Sequence, residues 1–401
     1  MEGLGHHRGR LQEARGLTVK AGIDVLLVGP RSFLGGDTVG LVTNPTGVTR
    51  RLESTLDALH SHPDVNLKAV FGPEHGARGD IQDALLVEGH VDETTGLPVH
   101  SLYGEHMAPT PEMLDGLDTL VFDIQDCGAR FYTYVSTLTY CMEAAARDSL
   151  DLVVLDRPDP INGLSVEGGT LKPGFESFIG LHPVPYRHGL TVGELASLIN
   201  TRIGCRLEVV ELEGWSRGMW YDETSLPWVQ PSPNLPTLET ATVFPGTCLF
   251  EGVNAVEGRG TTRPFEYLGA PWVDGRRWAD AMNALGLPGA RFRACHFTPA
   301  FWRHSGERCG GLQVHVTDRD AYKPVETGVH LLSTLIALQG DSFRFNEPTY
   351  DKRRHFDLLA GTDRLRLSLM DAEPVQEIVG AWAPEVERFM KSRERHLLYG
   401  E

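Results

Sequence analysis

Short hydrophobic runs alternate with amphipathic stretches along the first half of the chain. Four of these runs have the length and apolar composition of buried strands, and they occupy residues 38–42, 67–71, 119–122 and 151–155. Helical patterns stand between them at residues 51–60, where leucines recur at helical spacing, and at residues 131–147. Strands alternating with helices predict βαβ units and a largely parallel sheet, and therefore an α/β fold.

The regular alternation gives way to Gly and Pro near residues 162–185, and the rest of the chain is less regular. Thr191 and Glu194 form a capping-box pattern that predicts the start of a helix. Residues 215–236 are rich in Trp and Pro and predict irregular structure. Residues 244–264 are dense in glycine and polar side chains, and within them residues 251–254 and 257–262 predict a polar loop on no regular element. Residues 311–317 predict a further strand.

Length, composition and net charge indicate the number of domains and exclude some kinds of binding partner. A chain of 401 residues is longer than a single hydrophobic core usually supports. We therefore expect two domains, at 21–230 and 231–401, preceded by a frayed tail at 1–20. The composition, 41% hydrophobic and 23% charged, is that of a soluble globular protein. The net charge of −17 argues against a nucleic-acid partner and against charge-driven membrane binding.

The N-terminal residues and the cysteines indicate in which cellular compartment the protein is expected. Residues 1–16 lack the apolar core of a signal peptide, so the sequence as written predicts a cytoplasmic protein, or a periplasmic or secreted one if it is a trimmed form. The six cysteines contain no C-x-x-C pair and predict buried, reduced thiols rather than a zinc or redox site. The oligomeric state stays open at this point.

Polar clusters follow three of the predicted strands. They are Glu74 with His75, then Asp123 with Gln125 and Asp126, then Asp156 with Arg157 and Asp159. Because parallel strands present their carboxyl ends at one edge of a sheet, we expect the clusters to converge. Converging carboxylates can act as general acid and base, or bind a hard cation. A structural alternative is that Asp126 and Asp159 cap the helices that follow.

Further polar residues accompany these clusters. Arg130, Tyr132 and Tyr134 follow the third strand, where Arg suits a carboxylate and aromatic rings suit sugar faces. One of the tyrosines could equally belong to a helix core. Two later segments add candidates, namely His188 in one and Glu251, Asn254, Glu257 and Arg259 in the other.

Several common motifs are absent from the sequence. There is no G-x-G-x-x-G after the first strand and no G-x-x-x-x-G-K-[ST], which argues against dinucleotide and P-loop nucleotide binding. There is also no H-E-x-x-H and no G-x-S-x-G. We therefore expect neither a metal nor a cofactor.

Seven ordered motifs together resemble one known family, the NamZ-type exo-β-N-acetylmuramidases, a bacterial family formerly of unknown function. The motifs are T-N-P-T-G at 43–47, G-P-E-H-G at 72–76, S-L-Y-G at 101–104, D-I-Q-D with G-A-R-F-Y-T-Y at 123–134, D-R-P at 156–158, R-H-G-L-T at 187–191, and E-G through G-R-G-T at 251–261. The resemblance runs from about residue 21 to the C-terminus.

The resemblance implies a Rossmann-like N-terminal domain, a smaller C-terminal α/β domain and an active cleft between them. It implies release of terminal β-linked N-acetylmuramic acid from the non-reducing end of peptidoglycan fragments. Glu74 matches the family's proposed catalytic glutamate. Many relatives carry an export signal, which this sequence does not show.

Glycoside hydrolysis usually needs two carboxyl groups, and we predict Glu74 as general acid with Asp123 or Asp126 as the second. Substrate-assisted attack is the alternative, with Tyr132 or Tyr134 polarising the N-acetyl group. The lactyl carboxylate of muramic acid needs a cation, for which Arg130, Arg157 and Arg259 are candidates. The predicted substrate-binding residues are Asn44, His75, Tyr103, Gln125, Arg130, Tyr132, Tyr134, Arg157, His188, Glu251, Asn254, Glu257 and Arg259.

Two rival functions use the same residues. A non-catalytic cell-wall sugar-binding protein would need the cleft, the tyrosines and the arginines, but no catalytic acid. A hydrolase or transferase acting on phosphorylated sugars would use the arginines, and the missing phosphate loop argues against it.

Overall fold

The structure is a computed structural model that describes residues 18–79, 89–348 and 352–401. The strands in this part of the chain are β1 (Thr38–Thr43), β2 (Asn66–Gly72), β3 (His90–Val91), β4 (Pro98–Ser101), β5 (Thr119–Asp123), β6 (Asp151–Leu155), β7 (Arg206–Val210), β8 (Tyr267–Ala270), β9 (Ala290–Phe297) and β10 (Cys309–Val316). The α-helices are α1 (Gly22–Leu26), α2 (Arg31–Leu34), α3 (Thr55–Ser61), α4 (Pro111–Leu114), α5 (Tyr134–Asp148), α6 (Val192–Ile203), α7 (Leu238–Thr247), α8 (Gly275–Ala284), α9 (Pro324–Gln339), α10 (His355–Ala360), α11 (Arg364–Met370), α12 (Val375–Gly380) and α13 (Ala383–Arg393). Short 3₁₀ helices cover Tyr221–Glu223, Cys248–Gly252, Gly340–Ser342 and Glu394–His396.

The first half of the chain forms a seven-stranded sheet in the order β3-β4-β2-β1-β5-β6-β7. All neighbouring strands are parallel except β3, which pairs with β4 in the antiparallel sense. Without β3, the order along the chain is the 3-2-1-4-5-6 order of Rossmann folds. The predicted α/β class with a mostly parallel, Rossmann-like sheet is therefore confirmed.

Helices cover both faces of this sheet, so its strands are buried on both sides. In β5, Leu120 and Phe122 pack in a core that also contains residues of α5 and α6. Val121 points to the other face and joins a core that includes residues of α1 and α3. The first of these cores continues into the second half of the chain, where it includes Phe250 and Trp278.

A second, antiparallel sheet in the order β8-β10-β9 forms the C-terminal part together with helices. The predicted polar loop is wrong only at residues 251 and 252, because α7 runs to Thr247 through Pro245 and the 3₁₀ helix Cys248–Gly252 follows it. Gly246 explains this: a Cβ there would lie 1.9 Å from the carbonyl oxygen of Pro324 in α9. Close packing of α7 against α9 outweighs the weak helix propensity of this segment.

The other predicted elements differ from the observed ones mainly at their ends. Helix α3 begins at Thr55 rather than at residue 51, because Ser54 caps it by accepting from the Asp57 N–H. The capping box of Thr191 and Glu194 is confirmed at the start of α6. Residues 1–17 of the predicted tail lie outside the described residues, whereas Val19 is buried and belongs to the fold.

All six cysteines are unpaired and buried. None of the helices in the described part of the chain is long and apolar enough to cross a bilayer.

Candidate active site

A cavity of about 900 Å³ lies where the carboxyl edge of the large sheet meets the C-terminal part. Segments from both halves of the chain line it, and aromatic side chains form much of its wall. The lining residues that the structure describes are Glu74, His75, Tyr103, Phe131, Tyr132, Thr133, Tyr134, Phe178, Ile179, Ser232, Leu235, Phe244, Cys248, Glu251, Arg259, Phe265, Phe301, Trp302, Asn346, His355 and Leu359.

Glu74 enters the cavity from a tight turn directly after β2. The Gly76 N–H donates to the Pro73 carbonyl at 2.9 Å, and His75 has a positive φ of 75°. Gly72 is required because a Cβ there would lie 2.7 Å from the Ala77 nitrogen. The turn leaves Glu74 partly exposed in the cavity lining, while His75 is buried. Such strained backbone is typical of functional sites.

The residues at the start of α5 contact Glu74 in the cavity lining. The Thr133 hydroxyl donates to Glu74 Oε2 at 3.2 Å. Beside it, the rings of Tyr132 and Tyr134 meet edge to face, with centroids 4.9 Å apart. The Tyr134 hydroxyl donates to the Pro231 carbonyl at 2.8 Å.

The Tyr132 hydroxyl has a different environment from that of Tyr134. Burial raises the pKa of Tyr132 well above its usual value, so the hydroxyl keeps its proton. It makes no hydrogen bond of ordinary geometry, although the Ser232 side chain is close enough to influence its pKa. A buried hydroxyl with donor capacity left over can serve a substrate.

A charged cluster from the C-terminal part also lines the cavity. Arg259 lies between two glutamates, 3.0 Å from Glu251 Oε1 and 3.4 Å from Glu257 Oε1. His355 Nε2 lies 3.3 Å from Glu251 Oε2. Burial alone would raise the pKa of Glu251, but Arg259 and His355 outweigh it and hold that pKa below the usual range. Burial raises the pKa of Glu257, which is fully buried behind Arg259 and does not belong to the described lining.

Asp123, predicted as a second catalytic carboxylate, does not belong to the described lining. Its carboxylate is completely buried and meets Arg157 through both oxygens, at 2.5 and 2.8 Å. The Thr55 hydroxyl also donates to Asp123 Oδ2, at 2.5 Å. The strand ends of β5 and β6 do converge as expected, but their polar groups neutralise one another. Both residues therefore join elements of the sheet instead of facing the cavity.

Asp126 and its neighbours are also buried outside the described lining. Asp126 Oδ2 accepts from the Gly128 N–H at 2.7 Å and lies 3.3 Å from His188 Nε2. The Gln125 amide donates to two backbone carbonyls, and Asn44 Oδ1 accepts from the backbone and hydroxyl of Thr46. These contacts hold the loops behind the cavity wall.

The side chains of Arg130 and Asn254 also form hydrogen bonds to backbone groups. Arg130 donates to the carbonyls of Gly169, Val184 and Leu359, so it links the two halves of the chain. The Asn254 side chain donates to the Ser342 carbonyl and accepts from the Arg344 N–H. Of the three arginines predicted to bind the lactyl group, Arg259 is the one that the cavity lining contains.

Several lining residues were not predicted from the sequence, among them Thr133, Phe178, Phe301, Trp302 and His355. Thr133 lies between the two tyrosines of the G-A-R-F-Y-T-Y motif, which is a local signal for it. Phe301 and Trp302 are adjacent aromatic residues beside Pro299 in a segment between two strands, which is a weak signal for a ligand-facing loop. No cluster in the described residues places three His, Cys, Asp or Glu side chains around a metal position.

Known proteins resemble this chain over most of its length. The profile of the family "Exo-beta-N-acetylmuramidase NamZ, N-terminal" matches residues 39–239, and its C-terminal counterpart matches residues 242–399. Peptidoglycan beta-N-acetylmuramidase NamZ of Bacillus subtilis (strain 168) is 46% identical over 390 residues, covering 97% of this chain and 93% of that protein.

Two crystal structures of DUF1343 family proteins from Bacteroides fragilis NCTC 9343 share the fold. One has a TM-score of 0.88 and 38% identity, covering 95% of this chain and 99% of the other. The second has a TM-score of 0.76 and 29% identity, covering 96% and 99%. Both domains are thus matched in sequence and in structure. The chain belongs to the NamZ exo-β-N-acetylmuramidase family of glycoside hydrolases.

Proposed function

We propose that this protein is an exo-acting glycoside hydrolase that releases terminal β-linked N-acetylmuramic acid from the non-reducing end of peptidoglycan fragments, with Glu74 as general acid. The observation that carries the proposal is the partly exposed Glu74 carboxyl group in an aromatic-lined cavity of sugar size. The name of the Bacillus subtilis relative supports the substrate.

Glu74 protonates the glycosidic oxygen as its bond to the muramic acid C1 breaks. The Thr133 hydroxyl holds one carboxyl oxygen and so restricts the rotation of the acid. The proton reaches the leaving group only if the carboxyl is held in one orientation, because proton transfer needs hydrogen-bond distance. The Glu74–Thr133 contact therefore serves catalysis by positioning.

The second carboxylate in this proposal is Glu251. Glu74 and Glu251 are the two carboxylates in the described lining, and they enter the cavity from different halves of the chain. Arg259 and His355 keep Glu251 ionised, which suits a base, a nucleophile or a stabiliser of the oxocarbenium-like transition state. Asp123 suits this task less well, because its carboxylate is completely buried and does not belong to the described cavity lining.

We expect Glu251→Gln to lower kcat by about 100-fold or more, since the transition state would lose an anionic partner. Hydrolysis of the disaccharide MurNAc-GlcNAc measures this, with the exposed Glu239→Gln as control. A loss below about fivefold would instead favour attack by the substrate's own N-acetyl group, with Tyr132 or Tyr134 polarising the amide.

Arg259 is our candidate for the lactyl carboxylate, because it is a cation in the cavity lining and planar guanidinium groups bind carboxylates in a bidentate way. Its neighbour Glu257 is fully buried, and burial raises the pKa of that carboxyl group. This arrangement would let an acidic protein bind an anionic sugar.

We expect Arg259→Lys to lower the preference for muramic acid over glucosamine glycosides by about tenfold or more, the value of a charge-assisted hydrogen bond. The ratio of kcat/KM for the 4-nitrophenyl glycosides of the two sugars measures the effect. Arg263→Lys, an exposed position in the same loop, is the control. An unchanged ratio would remove Arg259 from lactyl recognition.

Incubation of the purified protein with 4-nitrophenyl β-N-acetylmuramide and its N-acetylglucosamine analogue tests the function itself. Release of nitrophenol from the muramic acid compound alone supports the proposal. No release from either would favour the rival function, a non-catalytic cell-wall sugar-binding protein that uses the same cavity.

A further inference from the structure

The loop between β9 and β10 presents two neighbouring aromatic residues to the cavity. Phe301 is 50% exposed and Trp302 is 54% exposed, and both belong to the cavity lining. Other aromatic lining residues, such as Phe131 and Phe244, are almost completely buried. Large aromatic surfaces left in water are costly, so a pair at the mouth of a cavity points to a binding surface.

The loop is fastened to the segment that carries the charged cluster. The Ala300 N–H donates to the Gly260 carbonyl at 2.8 Å, and Arg303 donates to the Ala255 carbonyl at 3.0 Å. His304 Nε2 lies 2.9 Å from the Asn254 carbonyl oxygen, which can only accept, so this nitrogen is the donor. The two rings are therefore carried on anchored backbone.

The backbone of the loop is held in an unusual conformation. Trp302 has a φ of 71° and His304 a φ of 58°, both in the left-handed region that costs free energy for non-glycine residues. Gly260 allows the approach, since a Cβ there would lie 2.5 Å from the Phe301 carbonyl oxygen. Such a conformation persists because the surrounding contacts determine it, and it fixes where the Trp302 ring stands.

The position of the rings indicates which part of a substrate they meet. An exo-acting enzyme encloses the terminal sugar, and the rest of the chain leaves through the mouth of the cavity. Half-exposed rings at the mouth are therefore next to the leaving group, whereas buried side chains surround the terminal sugar. The Arg259 guanidinium, 5.5 Å from the centroid of the Trp302 ring, links the two regions.

We propose that Phe301 and Trp302 form the subsite for the sugar on the leaving-group side of the scissile bond, where the apolar face of a pyranose ring lies against them. This inference rests on the proposed function. Binding energy from this remote ring holds the glycosidic oxygen near Glu74, so it raises the rate for disaccharides relative to simple glycosides.

The test compares MurNAc-GlcNAc with methyl β-N-acetylmuramide, which has no second ring. The ratio of kcat/KM, disaccharide over methyl glycoside, should fall about tenfold in Trp302→Ala and in Phe301→Ala, in line with loss of a central aromatic contact. Trp302→Phe keeps a flat ring and should restore most of the ratio. Leu285→Ala, at an exposed position outside the cavity lining, should leave it unchanged.

The outcomes separate this inference from the function on which it rests. If the unaltered protein hydrolyses both substrates and neither alanine variant changes the ratio by more than about twofold, the subsite is wrong and the function stands. If Trp302→Ala fails to fold, Phe301→Ala decides by the same criterion. If the unaltered protein hydrolyses neither substrate, both the proposed function and the proposed subsite are wrong.

Discussion

Glu74→Gln is expected to lower kcat/KM for the disaccharide MurNAc-GlcNAc by about 1000-fold, because the sugar alkoxide is a poor leaving group that must be protonated as it departs. The loss should be much smaller, about tenfold, for 4-nitrophenyl β-N-acetylmuramide, since nitrophenolate is a weak base and leaves without a proton. The difference between the two substrates is the signature of a general acid.

Glutamine matches the size of Glu74 and can still accept from Thr133, so the fold should survive, which thermal unfolding checks. Glu105→Gln changes an exposed glutamate beyond β4 and should leave both rates unchanged. Near-normal turnover of the disaccharide by a correctly folded Glu74→Gln variant would remove Glu74 as the acid. Equal losses on both substrates would mean that Glu74 stabilises charge or orients the sugar.

Which residues lie at the carboxyl edge of the sheet could be predicted from the sequence. Apolar runs of strand length gave the parallel strands, and the polar residues after them had to share one edge because parallel strands point the same way. Glu74 lies at this edge and belongs to the cavity lining, in a turn that contains Gly72 and Gly76. Local sequence was sufficient because turn and strand are contiguous.

Whether a strand-end residue faces a ligand or another residue could not be predicted in this way. Asp123 and Arg157 follow neighbouring strands and pair with each other. Asp126 turns to the Gly128 backbone and to His188, far away in the chain. These partners come from other strands and loops, and a single sequence contains no distances between them.

The contribution of the C-terminal part was the least predictable. Glu251 sits in a 3₁₀ helix after α7, and close packing between α7 and α9 decides that conformation. Trp302 depends on contacts to the 254–260 segment. Tertiary contacts rather than local propensity build this half of the cavity.

Asp123→Ala is expected to lower the free energy of unfolding by about 3–5 kcal/mol, because it leaves the buried Arg157 guanidinium without its counter-charge. Burial alone would lower the pKa of Arg157, yet the Asp123 carboxylate outweighs it and raises that pKa. For a chain of 401 residues, the unfolding midpoint should therefore fall by roughly 4–6 °C. Asp151→Ala breaks the exposed Asp151–Arg206 pair of the same sheet and should cost less than about 1 kcal/mol.

Stability and activity together separate the two roles predicted for this carboxylate. Asp123→Asn, assayed well below its unfolding midpoint, should keep kcat within about tenfold, whereas loss of a catalytic carboxylate costs about 100-fold or more. A combined Asp123→Leu and Arg157→Met variant should recover at least half of the stability lost in Asp123→Ala, because no charge is then left unpaired. If the double variant is as unstable as the single one, the cost arises from shape and not from charge. If Asp123→Asn is stable but inactive, the second catalytic carboxylate is Asp123 and not Glu251.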